Sequence, residues 1–174
     1  MIKNLFKEKW TQYAALATTI FAVCASISAL KGGGYSTKVQ MTTTKEANAW
    51  GYYQAKSIKQ NMTQLYFDQL DLAAQKEKDT KFRALISDRM ITAKGEIARY
   101  DKEKAEIKTQ AETLGKDEDI FKKHSGYFGL AVMLLQISIM LNSIGVLTKK
   151  SFMWGFGLGF GTIGVIYMFI GLLL

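Results

Sequence analysis

Proline is absent from this chain, and cysteine and histidine occur once each, as Cys24 and His124. Without proline, no helix is kinked or stopped by a missing backbone donor. One cysteine excludes an intrachain disulfide. One histidine cannot build a metal site unless carboxylates or symmetry mates help. Charge is missing from three long runs, residues 10–30, 125–148 and 151–174. None of these runs holds Asp, Glu, Lys, Arg or His, which argues against a proton relay or an ion-coupled pump.

What is present is sorted by position. Residues 31–125 hold 18 of the 23 Lys and Arg and 14 of the 15 Asp and Glu. Apolar ends and a charged middle imply two solvents. The net charge of +8 does not point to nucleic acid, because the bases of the middle segment are interleaved with acids. A solvated helical region near anionic lipid fits better.

Each uncharged run is long enough to cross a bilayer core, which takes about 20 apolar residues in a helix. The first follows Lys3, Lys7 and Lys9 and runs from Trp10 to about Leu30. A secretory signal peptide shares that layout, but the run is read here as a retained anchor. Ala15, Thr18, Ala22 and Ala25 form a stripe of small side chains on it, the mark of helix–helix contact in lipid. The second and third runs are separated only by Thr148, Lys149, Lys150 and Ser151, so they form an antiparallel pair. Aromatic residues Trp10, Tyr127, Phe128, Phe152 and Trp154 fall near span ends, where headgroups favour them.

The third run is rich in glycine. Gly155 and Gly159 make one GxxxG pair, Gly157 and Gly161 another, and Gly164 follows. The stretch Gly159–Gly164 also matches GxGxxG, but a dinucleotide site needs a preceding strand and a downstream acid, and neither is present. Close packing of backbones in lipid explains the glycines. Polar Gln136, Ser138, Asn142 and Ser143 in the second run suit interhelical hydrogen bonds, or the lining of a narrow pore.

The middle segment reads as a helical hairpin with arms at about 35–75 and 79–115. Phe82, Ile86, Met90, Ala93, Ile97, Tyr100, Lys104, Ile107, Ala111 and Leu114 recur at spacings of four and three that alternate from Ile86 onward. That 3.5-residue repeat predicts a coiled-coil seam interrupted only by Lys104. Ile58, Met62, Leu65, Gln69 and Leu72 keep the same rhythm on the first arm. Nearer the first span the pattern shifts, so two faces of that arm are expected to be buried, one against the partner arm and one against a neighbouring chain. The chain must reverse because both ends return to the same membrane side. Residues 75–80 lack apolar side chains, and Asp79 or Thr80 can cap the second arm. Gly32, Gly33 and Gly34 are expected to form a flexible joint, and Gly115 to end the second arm.

The expected architecture is therefore all-α. Residues 1–31 form a tail and first transmembrane helix, 32–124 an extramembrane hairpin, and 125–174 a transmembrane pair. The motif WGYYQAKSIK at residues 50–59, with Trp10, Tyr13-Ala14-Ala15 and the stretch from Ala29 to Ser36, resembles a bacterial membrane family numbered 4337 among domains of unknown function. The resemblance covers the whole chain in layout and is specific in residues 10–60. It implies a bacterial inner-membrane protein and carries over no catalytic residue, cofactor or ligand. Trp50, Tyr53 and Gln54 share one side of the motif helix, and Lys56 and Lys59 a neighbouring face. These residues read either as a binding surface or as a packing layer with lysines in water.

Lys3, Lys7, Lys9, Lys149 and Lys150 flank short segments on one side, which favours a cytoplasmic N-terminus and a hairpin outside the cytoplasm. No nucleophile–base pair, carboxylate pair or ligand cluster stands out, so no enzyme activity is expected. The leading expectation is a structural homo-oligomer whose partners are lipid and its own copies. The alternative is a multi-copy pore lined by Thr18, Ser26, Gln136 and Asn142.

Overall fold

The structure, a computed structural model, describes residues 2–174, with side chains from residue 9 onward. The side chains of Lys3 and Lys7 lie outside the described set. Three helices make up the fold: α1 (Ile2–Lys76), α2 (Thr80–Thr148) and α3 (Ser151–Leu173). No strand occurs among the described residues. Each helix contains a stretch long and apolar enough to cross a membrane.

Two expected breaks are absent. α1 continues through Gly32, Gly33 and Gly34, and α2 continues through Gly115. A helical glycine costs only about 1 kcal/mol relative to alanine, which flanking turns offset. Two of these glycines admit close neighbours instead. A Cβ on Gly32 would lie 3.0 Å from Phe128 Cβ, and one on Gly115 would lie 3.3 Å from a carboxylate oxygen of Glu46.

The chain reverses at residues 77–79. Asp79 Oδ1 accepts from the Lys81 amide at 2.9 Å and so caps α2. Glu77 Oε1 accepts from the amides of Lys78 and Asp79 at 2.8 and 2.9 Å. The second reversal is tighter. Lys149 takes a left-handed φ of 55°, and the Lys149 and Lys150 amides donate to Val146 and Gly145 carbonyls.

The chain forms two compact units. One comprises Met1–Gln40 with Glu118–Leu174, the other Met41–Asp117. The first is a three-helix bundle. Its core joins Phe21 and Ala25 of α1 to Leu135 of α2, with Ala17, Cys24, Ile139, Leu158 and Val165 against them. A second cluster joins Phe128 and Ala131 to Met168, with Cys24, Tyr35 and Tyr167 around it.

The buried positions of α1 in this bundle are Ala14, Phe21, Ala25 and Ser28. The small-residue stripe expected on α1 is therefore split. Ala25 is buried and Thr18 half-buried, while Ala15 and Ala22 face outward. Phe21 turns the inward face away from the purely small side, because its ring fills more of the interior than an alanine could.

The second unit is an antiparallel pair of helical arms. The second arm buries Ile86, Ala93 and Ala111 and half-buries Met90, Ile97, Tyr100, Lys104, Ile107 and Leu114; Phe82 at its start is exposed. The first arm turns an unexpected face inward. Thr42 and Ala49 are buried, and Glu46, Tyr53, Lys56, Gln60, Thr63, Phe67, Leu70 and Ala74 are half-buried. Ile58, Met62, Leu65 and Leu72, read from sequence as seam residues, are exposed. The inward face is mixed: Lys56 and Gln60 find polar partners on the facing arm, while Ala49, Phe67, Leu70 and Ala74 supply its apolar part.

Candidate functional site

Alternate glycines of α3 point to different sides of the helix, because residues two apart on a helix lie about 200° apart. Gly157, Gly161 and Gly164 are buried with Met168 and Gly171. A Cβ on Gly157 would overlap the side-chain amide of Asn142. One on Gly161 would collide with the Phe21 ring and lie 2.7 Å from Ser138 Oγ. One on Gly164 would lie 2.9 Å from Leu135 Cγ. These glycines bring α3 close to α1 and α2 within one chain.

Gly155 and Gly159 lie on the other side. A Cβ on either would meet open space. With Phe152, Phe156, Phe160 and Ile163 they line a shallow groove of about 530 Å³. The three phenylalanines and the isoleucine are exposed, and Phe152 and Phe156 meet edge to face at 6.5 Å. The outer face of α3 thus carries rings with notches between them.

The polar residues of the second apolar stretch divide in the same way. Ser138 is buried and donates to the Gly157 carbonyl at 2.6 Å, a bond that ties α2 to α3. Asn142 is fully buried, and neither amide atom has a hydrogen-bond partner. Gln136 is exposed, and Ser143 donates to its own helix at Ile139. Thr18 and Ser26 likewise donate to Ala14 and Ala22 carbonyls four residues back. The four residues considered for a pore lining thus share no single environment.

At the polar end of this unit an aromatic group gathers around His124. Tyr35 stacks on the His124 ring at 4.4 Å and 5°, and on Phe128 at 5.9 Å. Lys38 Nζ lies 5.1 Å from the Tyr35 ring and 5.3 Å from that of Phe121. His124 Nδ1 is 3.1 Å from the Gly171 carbonyl, so it carries the proton in that contact. Gly171 belongs to the last turn of α3, where carbonyls lack intrahelical donors. This role of His124 is not visible in the sequence, because its partners Tyr35 and Gly171 are far away along the chain.

In the hairpin, the residues of the aromatic–lysine motif work between the arms. Lys56 Nζ pairs with Glu103 at 2.5 Å and lies 5.6 Å from the Tyr100 ring. The hydrogen bond from Lys56 holds the Glu103 carboxyl below the usual carboxylate range, against its partial burial, and the charges of Lys56, Arg99 and Lys59 add to the effect. Tyr53 receives Lys104 over its ring at 5.4 Å. Gln60 accepts from Lys104 at 2.8 Å and donates to Asp101 at 2.6 Å. Trp50 meets Tyr53 edge to face and donates to Glu46. Gln54 and Lys59 are exposed beside this layer. The interruption of the heptad at Lys104 is thus a polar layer shared by both arms, and that irregularity was the sequence signal for it.

Among the described residues no three of His, Cys, Asp and Glu come together in an arrangement able to hold a metal ion. No curated protein and no solved structure matches the chain. Residues 10–174 match the model of a family described as a domain of unknown function, DUF4337. That match takes in all three apolar stretches and the whole hairpin, and the chain belongs to this family.

Proposed function

We propose that this chain is a structural membrane protein that assembles with copies of itself in a bacterial inner membrane. Its three apolar stretches cross the bilayer, its N-terminus is cytoplasmic, and its hairpin stands in water outside the cytoplasm. It performs no catalysis and binds no nucleic acid; lipid and its own copies are its partners.

The observation that carries this reading is the outer face of α3. Gly157, Gly161 and Gly164 are used within the chain, while Gly155 and Gly159 open onto a groove flanked by exposed phenylalanines. Within lipid there is little hydrophobic drive between helices, so close backbone approach and ring packing decide association. A second α3 can set its rings into those notches. The pore reading has less support, since Asn142 is enclosed by one chain and Thr18 and Ser26 bond to their own helix.

Native mass measurement in nanodiscs tests the proposal. The wild-type chain is expected as a multimer, and Gly159→Leu is expected to shift the population at least tenfold toward monomer with unchanged helix content. A strictly monomeric wild-type chain would overturn it.

A further inference from the structure

The exposed stripe on the first hairpin arm deepens the self-assembly reading and rests on it. Ile58, Met62, Leu65 and Leu72 are 60, 65, 63 and 58% exposed, although the arm has a partner. The partner arm packs on the opposite side, through Tyr53, Lys56 and Gln60. The stripe is a second seam in its own right. With Ala55 and Gln69 it keeps the alternating spacings of three and four over residues 55–72. That 3.5-residue rhythm suits a helix that supercoils with it, not a flat surface.

We infer that this stripe is the contact through which the hairpin pairs with the hairpin of a second copy, the two α1 helices running parallel. Two features, charge and size, select that occupant. The stripe is uncharged, and its flanking positions Gln54, Asn61, Tyr66 and Ala73 are neutral, with Lys59 and Asp68 the exceptions. The groove beside Met62 adds Arg89 and Glu96 of the second arm, one charge of each sign, so an acidic or basic partner meets little net charge. The size also discriminates. Stripe on stripe covers on the order of 1,000 Å² in total, which is the lower bound for a specific interface. A freely diffusing partner would be held weakly by so little surface. A copy held in the same bilayer gains an effective concentration that makes a marginal contact sufficient.

Direction and register follow. Copies inserted in one orientation present α1 in one direction, so like residues meet: Met62 faces Met62, and Leu65 faces Leu65. Gln69 then meets its own equivalent at an interior position, where a polar residue fixes register. Gln64, which bonds Asp68 on its own helix, lies away from the stripe.

Oxidative crosslinking of the full chain in membranes tests this. In a Cys24→Ala background, Met62→Cys and Leu65→Cys are expected to form disulfide dimers at least fivefold more than Gln64→Cys. Equal crosslinking at all three positions, or none at 62 and 65, overturns the inference. If that happens while the nanodisc mass remains multimeric, assembly through α3 stands and only the hairpin contact falls. A monomeric mass removes both.

Discussion

Single residues in this chain carry two kinds of cost. Lys149 sits at a φ of 55° in the turn between α2 and α3. A side chain in that conformation costs about 1 kcal/mol, which glycine does not incur. Lys149→Gly is therefore expected to raise the midpoint of thermal unfolding in detergent, and Lys149→Val, with its branched Cβ, to lower it. Asn142 illustrates the other cost. Its amide fills the notch left by Gly157, yet both polar atoms lack partners. Shape complementarity holds the position even though hydrogen bonding is incomplete, and sequence could indicate a polar side chain there but not which neighbour it would meet.

At the level of elements, the three apolar stretches and the reversal near residue 79 were legible because they depend on local composition and capping. The second arm was legible too, since its apolar repeat matches the covered positions from Ile86 to Leu114. The first arm was not. Two stripes run along it, an inward one that mixes Lys56, Gln60 and Thr63 with Phe67, Leu70 and Ala74, and an outer one that is apolar from Ile58 to Leu72 but for Gln69, and hydrophobic pattern alone selects the outer one. Pairing chose the other, because Lys56, Gln60 and Tyr53 find Glu103, Asp101 and Lys104 across the seam.

The ion pair gives this element a pH dependence. The folded-state carboxyl of Glu103 is depressed, so its contribution is present above the unfolded carboxylate range and disappears as pH falls through the folded value. Thermal unfolding followed at falling pH is expected to show a loss of stability below about pH 4. That loss should be smaller in Glu103→Gln, which lacks the titrating group. An identical acid response in both chains would remove the pair from the account.

For the whole molecule, the separation of apolar ends from a charged middle was visible in sequence because it needs no tertiary information. The division into packing units was less so. Tyr35, Lys38 and Phe121 belong with the bundle, although they lie beyond the expected span ends, because ring contacts centred on Tyr35, which stacks on His124 and meets Phe121 and Lys38, extend the packing past the apolar runs. The proposed orientation is open to a direct check. A protease-sensitive tag ahead of residue 1, expressed in a bacterium and probed in spheroplasts, is expected to resist external protease until the cells are lysed. Cleavage in intact spheroplasts would reverse the topology.

The alternation of glycines along α3 has one further consequence. Because inward and outward notches are separate positions on a single helix, changes at Gly155 or Gly159 leave the interior wall of the bundle untouched. A larger side chain at either position is therefore expected to leave the tertiary structure of the chain as it is.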